Sequence, residues 1–229
     1  MTSTLAITGA ASGLGAALAA RARDAGWTVA GADRTPGAGI TALDVTDEAA
    51  VEAWITGLGD LRGLVTCAGI SAHTPMPEAD AATFRRVLEV NVTGTFLASR
   101  AAARVMAPGS AMVLISSVSG LRGSVGRVAY GASKAAVVNM AQVMAIDLAP
   151  RGIRVNCICP GPIETPMVRE LHDPATRSGW TSRIPLGRYG TPEEVADAAL
   201  FLLDGERAAY VNGHALAVDG GYAGAGLMT

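Results

Sequence analysis

Apolar runs with strand character recur along the chain near residues 4–8, 27–32, 62–66, 111–116 and 153–158, with a last one near 214–218. Ala-rich amphipathic stretches lie between them at about 13–25, 46–57, 80–106, 127–149 and 191–204, and their spacing predicts helices. A short third strand is expected just before Asp44. Thr191-Pro192-Glu193-Glu194 sets a capping residue, a first-turn proline and two acids in the order that starts a helix. Thr46 before Asp47-Glu48 is expected to cap in the same manner. Strand and helix alternate from end to end, which implies a parallel sheet with right-handed crossovers. No internal repeat, low-complexity tract or linker interrupts the pattern, so one α/β domain over residues 1–229 is expected. The longest irregular stretch, about 160–190, is rich in Pro and Arg. A long excursion of this kind predicts a lid.

Composition narrows the class. Half of the 229 residues are hydrophobic and only 17% are charged, enough apolar material for a sizeable core. The net charge of -2 gives no reason to expect nucleic acid or an anionic membrane as partner. No apolar run reaches membrane-spanning length. The N-terminal Met1-to-Thr8 stretch lacks the basic start of a secretory signal and reads as the first strand. Cys67, Cys157 and Cys159 are odd in number and badly spaced for a disulfide framework or a metal site. Cys157 and Cys159 would share one strand face. Buried thiols of a reducing cytoplasm, with no metal, are the expectation.

Thr8-Gly9-Ala10-Ala11-Ser12-Gly13-Leu14-Gly15 follows the first strand at once and opens the first helix. Gly9 would allow the tight turn, Gly13 would let a pyrophosphate near the backbone, and Gly15 would let the helix press onto the sheet. Unpaired helix amides and the positive dipole end would then face phosphate. Gly9, Ser12, Gly13 and Leu14 are thus candidates to hold a dinucleotide. Asp33 ends the second strand, where a carboxylate accepts hydrogen bonds from ribose hydroxyls and repels a 2′-phosphate. Asp33 argues for NAD over NADP, while the neighbouring Arg34 could tolerate that phosphate. Asp44 and Val45 could flank an adenine, or Asp44 could instead cap a helix.

Tyr130-Gly131-Ala132-Ser133-Lys134 lies in a predicted helix, so Tyr130 and Lys134 share a face. Tyrosine is a poor acid–base catalyst at neutral pH, and a nearby cation favours its phenolate. A phenol beside an ammonium is therefore a proton-transfer device.

Together these residues resemble the short-chain dehydrogenase/reductase family, and the likeness covers essentially the whole chain. It implies a Rossmann-type doubly wound sheet of about seven strands with helices on both faces. Tyr130 and Lys134 resemble the family's catalytic pair, and Ser117, thirteen residues before Tyr130, falls at its catalytic serine. Asn91, in Asn91-Val92-Thr93-Gly94, falls at its fourth catalytic member. Pro160-Gly161-Pro162-Ile163-Glu164-Thr165 resembles the segment that holds the nicotinamide amide, through the Ile163 backbone and the Thr165 hydroxyl. Val218-Asp219-Gly220-Gly221 resembles the usual close of the last strand. The chain departs from the family in two places. Thr66-Cys67-Ala68-Gly69 stands where Asn-Asn-Ala-Gly is usual. Ala68 and Gly69 keep the close approach to the adenosine side, but the bracing of that strand is in question. Only ten residues separate Asp33 from Asp44, where a helix is usual, so the adenosine pocket is expected to be open there.

The resemblance implies hydride transfer between nicotinamide and a secondary alcohol or ketone. Tyr130 would move the proton, Ser117 would hold the oxygen, Lys134 would bind the nicotinamide ribose, and Asn91 would hold a water through its main chain. Substrate choice is expected from Val118-to-Arg122, Ile70-to-His73 and the lid residues Met167, Leu171, His172, Trp180 and Ile184. Hydroxysteroids, cyclic dihydrodiols and other secondary alcohols or polyols are the candidates. The alternatives are an NADP-dependent 3-oxoacyl-thioester reductase, a sugar-nucleotide epimerase or dehydratase, and a non-catalytic dinucleotide sensor. By analogy a homotetramer is expected, with the helices near 80–106 and 127–149 and the tail Tyr222-to-Thr229 at its interfaces.

Overall fold

The computed structural model describes residues 3–225, so the end of the tail, Gly226 to Thr229, lies outside it. Seven strands form one parallel sheet in the order β3-β2-β1-β4-β5-β6-β7. They are β1 (Thr4–Thr8), β2 (Thr28–Asp33), β3 (Ile40–Ala42), β4 (Leu61–Thr66), β5 (Ala111–Ile115), β6 (Arg154–Pro160) and β7 (Ala215–Val218). The interior strands are apolar on both faces because helices cover both. Leu5, Ile7, Val65, Val113 and Ile158 meet α1 (Gly13–Asp24) and α8 (Pro192–Leu203). The alternate residues Ala6, Leu64, Met112, Leu114 and Val155 meet α2 (Glu48–Thr56), α4 (Gly94–Val105) and α5 (Val128–Leu148). Each fully buried Leu or Ile contributes about 1.5–3 kcal/mol. Cys157 and Cys159 are both buried on this second face, as their spacing predicts.

Strand order reverses between β1 and β4. Their connections leave toward opposite faces, which opens a crevice at the C-terminal ends of the strands. Thr8, Asp33, Thr66, Ile115 and Pro160 all end there.

The stretch expected as one helix over 80–106 is broken. It forms α3 (Ala81–Leu88), a π-helical turn (Glu89–Thr93) and then α4. The widened turn carries Asn91 into the interior, and the Thr95 hydroxyl donates to the Asn91 carbonyl at 2.8 Å. Such bulges admit one extra residue without ending the helix. Thr46 does not cap α2. Asp47 does, accepting from the Ala50 N–H at 3.0 Å, while Thr46 turns its own N–H and hydroxyl to Asp44. Two short helices, α6 (Pro166–Leu171) and α7 (Pro174–Thr181), build the irregular stretch after β6.

At α8 the expected cap is present as a full capping box. Thr191 accepts from the Glu194 N–H at 3.3 Å, and Glu194 accepts from the Thr191 N–H at 2.8 Å. The Arg188 hydrogen bond, followed by the Thr191 N–H, lowers the Glu194 pKa to about 2. A depressed carboxylate stabilises the fold above its unfolded value, and that stability is lost as pH falls through the folded value. Thr191→Ala should cost about 1 kcal/mol in urea denaturation. The Glu194 contribution should be constant at neutral pH and fade from about pH 4.5 toward pH 2, which Glu194→Gln would remove.

Candidate active site

A cleft of about 410 Å³ runs across the strand ends, within the usual range for small-molecule sites. The β1–α1 turn forms its floor. Gly9 has φ +69, and a Cβ there would lie 2.7 Å from the Ala68 nitrogen. A Cβ on Gly15 would lie 2.0 Å from the Gly9 carbonyl oxygen. Gly15 thus lets α1 close onto its own loop, whereas the spacing alone suggested packing on the sheet. Ser12 is the N-cap of α1, yet its side chain caps no amide and no acid stands in the first turn. The first amides therefore face the cleft with the positive dipole end. Ser12, Gly13 and Leu14 all line it. This uncapped, glycine-lined helix start fits a dinucleotide pyrophosphate.

Asp33, Arg34, Asp44 and Val45 line one end. The Asp33 carboxylate accepts from the Ala11 N–H and from the Thr35 N–H, each at 3.0 Å. Asp44 accepts from the Thr46 backbone N–H at 2.9 Å and its hydroxyl at 2.7 Å, and these hydrogen bonds hold it below the usual carboxylate range. Asp44 is therefore not a helix cap. Arg86, which the sequence gave no reason to single out, also lines this end and adds a positive field at Asp44.

Ser117, Tyr130 and Lys134 line the other end. Lys134 is 5% exposed, and its ammonium donates to the Ile115 carbonyl at 2.9 Å. The Ser116 hydroxyl donates back to the Lys134 carbonyl at 2.7 Å, so α5 is tied to the end of β5 in both directions. The Lys134 Nζ lies 5.7 Å from the centre of the Tyr130 ring. The Ser117 hydroxyl accepts from the Ser119 N–H at 3.1 Å, which leaves its proton free to donate.

Asn91 stands behind the cleft, not in its wall. It is fully buried; its amide donates to the Ile70 carbonyl at 2.9 Å and to the Ser133 hydroxyl at 3.0 Å, and its oxygen accepts from the Ile70 N–H at 2.8 Å. Ser133 in turn donates to the Tyr130 carbonyl at 2.7 Å. This chain connects the Gly69–Ile70 wall to the backbone of Tyr130. It also supplies bracing where Thr66-Cys67 replaces the usual amide pair. The Ala68 N–H adds a bond to the Thr8 hydroxyl at 3.3 Å. The buried Thr66 hydroxyl finds no hydrogen-bond partner among the described residues. Burial pushes the Cys67 thiol up to about 12, so it stays protonated.

The family model described as Enoyl-(Acyl carrier protein) reductase matches residues 9–223. The chain is 41% identical to 2-(S)-hydroxypropyl-CoM dehydrogenase 3 of Xanthobacter autotrophicus, over 95% of each chain. It is 42% identical to cis-4-hydroxycyclohexanecarboxylate dehydrogenase of Sinomonas cyclohexanicum, over 94% of each. A short-chain type dehydrogenase/reductase from Mycobacterium ulcerans superposes with a TM-score of 0.91 at 32% identity, covering 96% of this chain and 90% of that one. This chain belongs to the short-chain dehydrogenase/reductase family. It is an oxidoreductase of a family that uses nicotinamide cofactors.

In this dehydrogenase/reductase the stretch after β6 closes the cleft from one side. Pro160, Gly161, Ile163 and Thr165 line it. The Thr165 hydroxyl accepts from the Val168 N–H at 3.3 Å as the cap of α6, and its proton remains available. His172 and Trp180 line the cleft and stack with ring centres 6.4 Å apart. Trp180 also packs on Tyr222 at 5.1 Å, so it both anchors this segment and faces the cleft. The His172 Nδ1 lies 2.9 Å from the Tyr189 hydroxyl. Burial, then the fields of Arg127 and Arg177, lower the pKa of His172 and favour its neutral ring. Ile184 is buried away from the cleft, and the exposed His73 stacks under Gly126 outside it. The side chains of Met167 and Leu171 lie outside the described set. Among the described residues no helix is long and apolar enough to cross a membrane.

Sequence reasoning passed over Ser133 and Arg127. Arg127 lines the cleft three residues before Tyr130, with its guanidinium carbon 5.5 Å from the Tyr130 ring centre. The three-residue spacing was the available signal.

Asn91→Ala would leave the Ile70 N–H and carbonyl and the Ser133 hydroxyl short of partners. It should destabilise the protein by about 1–3 kcal/mol in chemical denaturation. Asn91→Asp should lose the two amide donations while keeping the acceptor for Ile70, and its loss should be distinguishable in the same measurement.

Proposed function

We propose that this protein is an NAD-dependent oxidoreductase that interconverts a secondary alcohol and a ketone, with Tyr130 as general acid and base. The observation that carries this reading is the single cleft with an uncapped α1 start and Asp33 toward one end and Ser117, Tyr130 and Lys134 at the other. A bound nicotinamide supplies or accepts the hydride. The Tyr130 hydroxyl gives its proton to the substrate oxygen in reduction and takes it in oxidation. The Ser117 hydroxyl donates to the same oxygen and stabilises the charge that develops there. Lys134 binds the nicotinamide ribose, and its ammonium offsets the negative charge left on the Tyr130 oxygen. The α1 amides hold the pyrophosphate, and the Thr165 hydroxyl and Ile163 backbone hold the carboxamide. Asn91 acts on Tyr130 through Ser133 and keeps the Gly69–Ile70 wall in register. The segment over 160–190 serves as the lid.

Asp33 supports NAD, since a 2′-phosphate would meet its carboxylate. Arg34 and Arg86 in the same end support NADP as the second reading. The relatives named above support a secondary alcohol: their names specify a hydroxypropyl and a hydroxycyclohexane compound. A 3-oxoacyl thioester reductase is the companion of the NADP reading.

A substrate screen run with NAD and NADP side by side tests both. Turnover of secondary alcohols with a higher kcat/KM for NAD is expected. Preference for NADP with reduction of 3-oxoacyl thioesters would favour the second reading. Tyr130→Phe should bind NADH with near-native affinity in a fluorescence titration and lose at least about 10²-fold in kcat, in line with removal of a general acid. Cofactor binding by the native protein with no turnover of any alcohol or ketone would make it a dinucleotide sensor instead.

A further inference from the structure

The charges along the cleft are unevenly shared. Its lining carboxylates, Asp33 and Asp44, both belong to the adenosine end. The reacting end is lined by two cations, Lys134 and Arg127, and by no acid. Lys134 is buried against a backbone carbonyl. Arg127 is half-buried, and its side chain donates to the Ser71 hydroxyl alone. A guanidinium carries five N–H groups, so most of its donors remain for another partner. No carboxylate of the described residues pairs with it, whereas Arg177, whose field also reaches His172, is paired with Glu164. The neighbouring His172 is pushed toward its neutral form, so it adds no further positive charge beside Arg127.

Arg127 also lies close to Tyr130 in the cleft lining, its guanidinium carbon 5.5 Å from the ring centre. It immediately precedes α5, so its side chain and that of Tyr130 share one helix face. The Ser71 hydroxyl, also in the cleft lining, holds the guanidinium, and the field of Arg127 reaches His172. A half-buried, planar, unpaired guanidinium is suited to bidentate capture of a carboxylate.

We propose that Arg127 anchors an anionic group of the substrate, so that the alcohol oxidised here is a hydroxy acid with a short spacer between carbinol and carboxylate. This inference rests on the oxidoreductase reading above and adds the substrate's charge to it. Arg127 orients the molecule by its acid end, and the carbinol then falls within hydrogen-bond reach of Tyr130. A neutral alcohol of the same shape lacks that anchor.

The test compares 4-hydroxycyclohexanecarboxylate with its methyl ester as substrates of the native enzyme, Arg127→Gln and Arg127→Lys. The native enzyme should prefer the acid, and Arg127→Gln should lower the acid-to-ester ratio of kcat/KM about 10- to 100-fold. Arg127→Lys should keep part of the preference, since it retains charge without the planar fork. In parallel, calorimetric titration of the cofactor-bound protein with cyclohexanecarboxylate and cyclohexanecarboxamide needs no turnover. Arg127→Gln should weaken the carboxylate by a similar factor and leave the amide within about twofold. Equal loss on acid and ester would mean that Arg127 acts on Tyr130 or on folding, and would overturn the proposal. So would failure of the native protein to bind the carboxylate better than the amide. If neither hydroxy compound nor any other alcohol is turned over, the oxidoreductase reading fails, and the calorimetric arm still decides the anion anchor.

Discussion

A nearly buried ammonium without a carboxylate is the constraint around which this structure is arranged. Burying an unpaired ion costs several kcal/mol even after relaxation. Lys134 meets that cost with the Ile115 carbonyl and with a cleft at its tip. The Ile115 carbonyl is free to accept because it lies at the end of β5, where the sheet stops. Lys134 can reach it only if α5 passes close to that end. Gly120 permits the approach, since a Cβ there would fall 2.6 Å from the Lys134 backbone. Ser117, just after β5, and Tyr130, one helical turn before Lys134, then both line the same cleft.

Topology supplies the rest. The reversal of strand order at β1 and β4 opens a crevice that helices cannot fill, and five strand ends face it. The turn after β1 brings helix amides to its floor, and the segment after β6 covers its side. The π-helical turn before α4 adds a second layer, because it directs Asn91 inward to Ile70 and Ser133. The cleft wall at Ile70 and Tyr130 is thus backed by a hydrogen-bond chain whose middle members, Asn91 and Ser133, are fully buried.

Much of this was legible before any coordinates. Buried parallel strands read as apolar runs, so β1, β4, β5 and β6 are visible in the hydrophobic pattern even though Arg62 and Asn156 interrupt two of them. The glycine cradle and the Tyr130–Lys134 pair were visible because both depend on fixed local spacing. Features that depend on three-dimensional closure were not. A π-helical turn inserts one residue without ending the helix, and no proline or side-chain cap marks it, so 80–106 reads as one helix. Thr46 and Asp47 are both good caps, and only the engagement of Thr46 with Asp44 decides between them. Arg127 has no reading from the sequence, because its lack of a carboxylate partner appears only when the other charges are located. The family resemblance placed Asn91 among the catalytic residues, but its backing position follows from the turn that holds it.

Asp33 has two duties that sequence spacing does not separate. Its carboxylate accepts from the Ala11 amide in the loop after β1 and from the Thr35 amide beyond β2. It therefore staples two loops together as well as presenting negative charge. Replacing Asp33 by a residue without an acceptor would cut this staple along with removing the charge. A substitution that succeeds must furnish a replacement acceptor for Ala11, so the charge at this end of the cleft and the rigidity of its loops have to be altered as a unit.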